Sequence, residues 1–378
     1  MVESMSNLNS VADLKRLGQS IWLDQLDRRM IASGELKRFR DAGVSGVTAN
    51  PTIFAKALEA SEVYAGEVKQ RLVSGQNSED VIWDLLIEDV QAAADVFRPV
   101  HESSGGADGY VSIEVSPEIS GSTEKTIQAA RDLHGRCARP NVMVKIPATP
   151  AGLPAIRTMI GEGKNTNVTL IFGIDRYVEV VEAFLAGLGD LRQAGGDLSQ
   201  VHSVASFFVS RVDTKVDEQL VKKIEQAGLP HRPELEALLG RAGVANSKLA
   251  YQRFKELHSG GRWEGLTEAR ASVQRCLWAS TSVKNPRYRD TMYVEDLIGP
   301  ATINTMPPAT FGAFRDHGRA APTLEMEVDQ ARRDLDRLSA AGIDLKVVTQ
   351  ELEDEGVASF AKSFRESVQH LGKVSTGR

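Results

Sequence analysis

Apolar residues fall along this chain in two alternating rhythms. Short stretches at 20–24, 46–50, 110–115, 141–147, 167–172, 203–209, 275–281 and 302–305 have the length and alternation of β-strands. Between them lie longer stretches with helical spacing. In 78–97, Ile82, Leu86, Val90, Ala93 and Phe97 recur three or four residues apart behind an acidic first turn. Residues 123–133 and 175–188 behave similarly. Strands that alternate with helices imply a parallel sheet, and eight strands close a (β/α)8 TIM barrel. An open doubly wound sheet uses the same alternation. No G-x-G-x-x-G follows the first strand, which weakens the dinucleotide-binding form of that alternative.

Two segments depart from the alternation. Residues 215–273 carry helical, charged sequence such as E-A-L-L-G-R-A-G and L-A-Y-Q-R-F-K-E-L. That is far longer than an ordinary barrel connection, so extra helices inserted after strand six are expected. Beyond Pro322 the chain is again helical and amphipathic, and is expected to pack outside the barrel. No Pro- or Ser-rich linker and no internal repeat divides the sequence, so residues 1–378 are expected to form a single barrel domain.

Composition narrows the partners. A net charge of -6 offers no electrostatic reason for nucleic acid or anionic membrane. No apolar run approaches the ~20 residues of a membrane span. The opening M-V-E-S-M-S-N-L-N-S lacks the basic and apolar regions of a signal peptide, so a cytoplasmic protein is expected. Cys137 and Cys276 cannot build a disulfide framework, and the seven histidines never pair at ligand spacing. No metal site is expected.

Within the strands, the polar residues share a parity. Side chains alternate between the two faces of a strand. Ser112 and Glu114 oppose Val111, Ile113 and Val115; Met143 and Lys145 oppose Val142, Val144 and Ile146. Asn167 and Thr169 oppose Val168 and Leu170, Thr48 pairs with Asn50, strand one ends in Asp24, and strand six offers Ser206 and Phe208 with Arg211 just beyond. Taken singly, each has an ordinary explanation. A lysine at a strand end snorkels to water, Asp24 and Asn50 suit turns, and Arg211 suits a surface ion pair. The shared parity is what those explanations leave out. If the apolar face meets the helices, the polar face converges on the barrel axis, near the strand ends where barrel active sites are built. Enclosure there desolvates Lys145 and disfavours its charged form, leaving an amine able to form a Schiff base with a carbonyl. Asp24 and Glu114 supply proton carriers, Asn50, Asn167, Thr169 and Ser206 suit hydroxyl recognition, and Arg211 and Lys284 suit a phosphate.

At these residues the sequence resembles the transaldolase family, in the longer bacterial form. The matching motifs run in order: G-V-T-A-N-P-T-I-F at 46–54, S-I-E-V at 112–115, V-M-V-K-I-P-A-T at 142–149, T-N-V-T-L-I-F at 166–172 and S-V-A-S-F-F-V-S-R-V-D at 203–213. W-A-S-T-S-V-K-N-P at 278–286 and L-I-G-P-A-T-I-N-T-M-P at 297–307 extend the likeness. The resemblance implies that Lys145 forms the Schiff base with a dihydroxyacetone unit and that Asp24 is the acid/base of carbon–carbon cleavage. It implies that Glu114 and Thr169 hold and activate a water. Asn50, Asn167 and Ser206 match contacts to the dihydroxyacetone unit, and Arg211 matches a phosphate ligand. Ser280 and Lys284 align more loosely with phosphate contacts, because many shorter members carry arginine in place of Lys284. The implied reaction converts sedoheptulose 7-phosphate and glyceraldehyde 3-phosphate into erythrose 4-phosphate and fructose 6-phosphate, with no cofactor. Members are often homodimers. Two other functions compete: a fructose 6-phosphate aldolase that releases free dihydroxyacetone, and a barrel that only binds sugar phosphates. The related aldolases carry glutamine and tyrosine at the positions of Glu114 and Phe208, which favours transfer here.

Overall fold

The computed structural model describes residues 11–49, 54, 57, 58, 62–228 and 230–376. Eight strands, β1 (Gln19–Leu23), β2 (Gly46–Thr48), β3 (Val111–Glu114), β4 (Val142–Pro147), β5 (Thr166–Ile171), β6 (Ser203–Phe208), β7 (Arg275–Ala279) and β8 (Thr302–Met306), pair in parallel and close into a barrel in chain order. The open-sheet alternative is thereby excluded. The outward parity packs on the helices: Ile21, Leu23, Val47, Val111, Ile113, Val144, Ile146, Val168, Ala205 and Phe207 all belong to that core. A second cluster fills the interior with Trp22, Met143, Val204, Phe208, Leu277 and Ile303.

Helices form where the spacing placed them and run longer. The helix Ser78–Ser103 is capped by Asn77, whose side-chain oxygen accepts from the Asp80 N–H at 2.9 Å, and it buries Ile82, Leu86, Val90, Ala93 and Phe97. It continues past Pro99, where the loss of one backbone donor near the end is tolerated. Thr123–Cys137 and Ile174–Gln193 likewise outrun their expected ends.

Strand β5 breaks the expected parity. Val168 faces Ala205 and Ile171 faces Phe207, so β5 holds one residue more than its partner. Leu170 takes up the extra residue at φ +60°, a conformation costing a branched side chain roughly 1–2 kcal/mol. Its side chain therefore joins the interior cluster with Phe172, while Ile171 packs outward. Alternation alone had put Leu170 on the outer face; the bulge reverses it.

Between β6 and β7 lie helices Ser210–Gln226, Arg232–Glu236, Ala242–Leu257 and Gly260–Glu268. The first begins at Ser210, ahead of the expected insertion start, because it is the crossover helix itself. The added helices are tied to both ends of the barrel: Asn246 Nδ2 donates to Phe172 O, just past β5, at 2.7 Å, and Tyr251 Oη to Pro300 O, just before β8, at 3.0 Å. Helices Val328–Ala340 and Leu345–Thr376 pack outside the strands, as expected. The longer one follows the rim where the strands end. Gly356 packs so closely on Leu170 that a Cβ would lie 3.0 Å from Leu170 Cδ2, and Arg365 reaches Glu118 at 3.3 Å. Among the described residues, no helix is long and apolar enough to cross a membrane.

The opposite end of the barrel is plugged by polar contacts. Arg275 donates to Ser20 Oγ and Thr302 O, each at 2.7 Å, and Trp22 Nε1 donates to Asp108 Oδ1 at 2.8 Å. His202 packs there against Tyr110, and burial pushes it down to about 4, helped by neighbouring His101 and Arg275. A base with a lowered folded pKa is neutral in the fold, whereas the unfolded chain takes up its proton below about 6.5. Its contribution to stability is therefore complete above about 6.5 and is lost as pH falls toward 4. His202→Gln is expected to show a smaller drop in Tm between pH 7 and 5 than the unmodified protein. An equal drop would assign the acid sensitivity to other groups.

Candidate active site

The barrel register brings Glu114 beside Lys145 and Lys145 beside Asn167. All three point inward, as the parity required. Lys145 Nζ lies 3.1 Å from Glu114 Oε2, with side-chain exposures of 8% and 1%. The expected desolvated lysine thus has a carboxylate partner. Beneath them, Asn167 Nδ2 donates to Ser112 Oγ at 3.0 Å and Ser206 Oγ donates to Asn167 Oδ1 at 2.7 Å. This chain of bonds spans β3, β5 and β6 and fixes the amide of Asn167 with its oxygen toward Ser206. Thr169 is fully buried just before the bulge, and among the described residues neither its hydroxyl nor Glu114 Oε1 has a hydrogen-bond partner. Unpartnered buried oxygens beside a lysine suit a bound water or a substrate hydroxyl.

Asp24 caps β1 at the rim. Burial pushes its carboxyl up to about 6, and the positive charges of Lys284 and Lys145 pull in the opposite direction. A carboxyl poised there exchanges protons near neutral pH. Phe208 lies against Phe172, with ring centres 4.9 Å apart, and the Arg211 guanidinium sits over the Phe208 ring, 5.2 Å from its centre. Arg211 makes no ion pair within 4.0 Å among the described residues; burial works against its charge, and Glu114 supports it.

The loop after β7 completes the rim. Ser280 adopts φ +57°, its Oγ lies 2.9 Å from Ser210 Oγ, and its carbonyl accepts from the Ser210 N–H at 3.1 Å. Thr281 Oγ1 donates to Asn304 Oδ1 at 2.8 Å, while Asn304 Nδ2 donates to Tyr293 O at 3.2 Å. Lys284, carried on this loop, lines a cavity of about 460 Å³ with Ser210, Arg211, Lys215, Glu355 and Ser359. Ten of the eleven sequence-predicted residues, Lys145, Asp24, Glu114, Thr169, Asn167, Ser206, Phe208, Arg211, Ser280 and Lys284, thus lie in the barrel or on this rim. Asn50 lies outside the described residues.

Sequence reasoning missed the contribution of the C-terminal helix and of Lys215. A signal was present for both. Lys215 follows Arg211 by four residues, and Glu351, Glu355 and Ser359 recur at the same interval, so each set shares one helical face.

Lys284 and Asp24 are coupled through charge, so Lys284→Gln is expected to raise the Asp24 midpoint above about 6. Carboxyl-carbon NMR of aspartate-labelled protein reads this directly. A midpoint that stays put or falls would separate Lys284 from Asp24.

Residues 21–371 match the family described as Transaldolase/Fructose-6-phosphate aldolase. A transaldolase of Thermobifida fusca is 46% identical over 362 residues, covering 95% of this chain and 96% of that protein. Transaldolase 1 of Streptomyces avermitilis is 45% identical over 375 residues, covering 98% and 97%. A transaldolase of Mycolicibacterium paratuberculosis is 45% identical over 367 residues, covering 96% of each. With its barrel closed around Lys145 and matched over nearly its full length, the chain belongs to the transaldolase/fructose-6-phosphate aldolase family.

Proposed function

We propose that this chain is a transaldolase of the pentose phosphate pathway, acting through a Schiff base on Lys145. The observation that carries the reading is the buried Lys145–Glu114 pair, 3.1 Å apart inside a closed barrel, below a carboxyl poised near pH 6. Glu114 is close enough to take a proton from Nζ, freeing the amine to attack the C2 carbonyl of sedoheptulose 7-phosphate. Glu114 Oε1 and Thr169 Oγ1, which have no hydrogen bond among the described residues, hold the water that leaves as the carbinolamine becomes an imine. The protonated imine then draws in the electrons of the C3–C4 bond while Asp24 accepts the C4 hydroxyl proton. Erythrose 4-phosphate leaves, and the dihydroxyacetone unit remains on Lys145 as an enamine. Glyceraldehyde 3-phosphate enters, the enamine carbon attacks its aldehyde, and Asp24 returns the proton. Hydrolysis of the imine releases fructose 6-phosphate.

Asn167 and Ser206 are suited to the hydroxyls of the dihydroxyacetone unit, and Asn50 is assigned to the same group by its motif. Arg211, Ser280 and Lys284 are suited to the phosphate, at the far end of the substrate from the imine. The same reading implies a cytoplasmic protein with a single barrel domain, for which a homodimer is compatible with the family.

Transfer rather than release follows from what surrounds the enamine. Phe208 presents an apolar ring with no exchangeable proton, so nothing at that position protonates the carbanion. Borohydride treatment with fructose 6-phosphate is expected to trap the adduct on Lys145; an adduct mainly on Lys164 or Lys284 would move the nucleophile. With fructose 6-phosphate alone, release of free dihydroxyacetone should be slow, and it should speed up in Phe208→Tyr while trapping persists. If the unmodified protein releases dihydroxyacetone as fast as it transfers it to erythrose 4-phosphate, the aldolase function replaces this one.

A further inference from the structure

The cavity at the rim holds more positive charge than its assigned residues supply. Arg211 and Lys284 line it, and so does Lys215. Lys215 follows Arg211 by one turn of the helix Ser210–Gln226, whose N-terminal end also opens on the cavity and adds its own partial positive charge. The three cations are not in the same state. Among the described residues Arg211 and Lys284 have no carboxylate within ion-pair distance, and Lys284 donates to Ser282 Oγ at 2.7 Å. Lys215 is held by two carboxylates of the C-terminal helix, Glu355 and, at 3.1 Å, Glu351. Glu355 itself lines the cavity, so a carboxylate stands at the spot where a phosphate would meet Lys215.

Two anions cannot share that spot without repulsion. Glu218 is a further carboxylate on the cavity wall, and a dianionic phosphate entering beside both acidic groups loses part of what the cations offer. The side chain of Glu355 is 59% exposed, whereas that of Lys215 is 21% exposed. Glu355 can therefore turn into water with little loss of packing, while Lys215 stays directed at the cavity. Screening by water also makes the exposed pair weak enough to break.

We propose that Lys215 is a third phosphate ligand, masked by Glu355, and that the substrate phosphate takes the place of the Glu355 carboxylate on Lys215. The inference rests on the phosphate cavity of the proposed function and adds to it a residue and a competitor. The C-terminal helix then senses occupancy of the site, because one of the two carboxylate contacts that join it to Lys215 of helix Ser210–Gln226 is released when phosphate binds, leaving Glu351.

The test is calorimetric titration of inorganic phosphate into the full-length protein at constant ionic strength. Glu355→Gln removes the competitor and is expected to tighten phosphate about three- to tenfold. Lys215→Met is expected to weaken it, and adding Glu355→Gln to Lys215→Met should recover little, since the two residues act on one contact. Unchanged or weaker binding in Glu355→Gln overturns the proposal. So does an equal gain in both backgrounds, which would mean simple repulsion without exchange at Lys215. Arg211→Ala separates the two levels: if it weakens phosphate while Glu355→Gln changes nothing, the cavity stands and the exchange fails. If neither variant alters phosphate binding, the cavity and the exchange fail together.

Discussion

A buried ion pair sets the terms for everything around it. Removing an ammonium and a carboxylate from water costs several kcal/mol per charge, and only close geometry with further polar support offsets it. Lys145 and Glu114 meet at 3.1 Å because their strands are neighbours in register and both side chains fall on the inner parity. The Ser112–Asn167–Ser206 chain sits under the pair and gives it polar surroundings without opening it to solvent. A barrel is suited to this arrangement, since its closed sheet satisfies the backbone and leaves only side chains to fill the axis.

The apolar residues divide the work. The outer core between strands and helices supplies the burial that holds the barrel closed, while the inner cluster of Trp22, Met143, Val204, Leu277 and Ile303 fills the axis away from the rim. Polar chemistry is thereby confined to one end. At the other end Arg275, Asp108 and Ser20 close the barrel with contacts that the reaction does not use.

The rim is assembled from segments distant in sequence. The β7 loop is stitched to the start of helix Ser210–Gln226 through Ser280 and Ser210, and to β8 through Thr281 and Asn304. The C-terminal helix reaches the same place because the bulge at Leu170 turns a leucine toward it and Gly356 leaves room for the contact. Left-handed backbone at Leu170, in the β5 bulge, and at Ser280, where β7 turns into its loop, brackets the site. The Thr169 hydroxyl, without a hydrogen-bond partner among the described residues, lies one residue before the first of these.

What the sequence determined by itself was local and periodic. Eight strands, their order, the inner parity of Glu114, Lys145, Asn167 and Ser206, and the helices between them follow from alternation, because burial selects side chains by face. Strand-end position, parity and charge also singled out Asp24, Thr169, Arg211 and Lys284, and the family resemblance gave them roles. Tertiary structure decided whatever depends on distance across the fold. Alternation could not foresee the extra residue in β5, since a bulge preserves composition while reversing direction, so Leu170 was placed on the wrong face. The helical rhythm beyond Pro322 announced a helix without saying what it covers; only packing against Leu170, Lys215 and Glu118 brings it to the rim. The proton affinity of Asp24 depends on burial and on Lys284, which lies hundreds of residues away along the chain and close enough in space for its charge to act. Periodicity reports which face a residue occupies, while electrostatics depends on what stands opposite, and only the closed barrel brings those groups together.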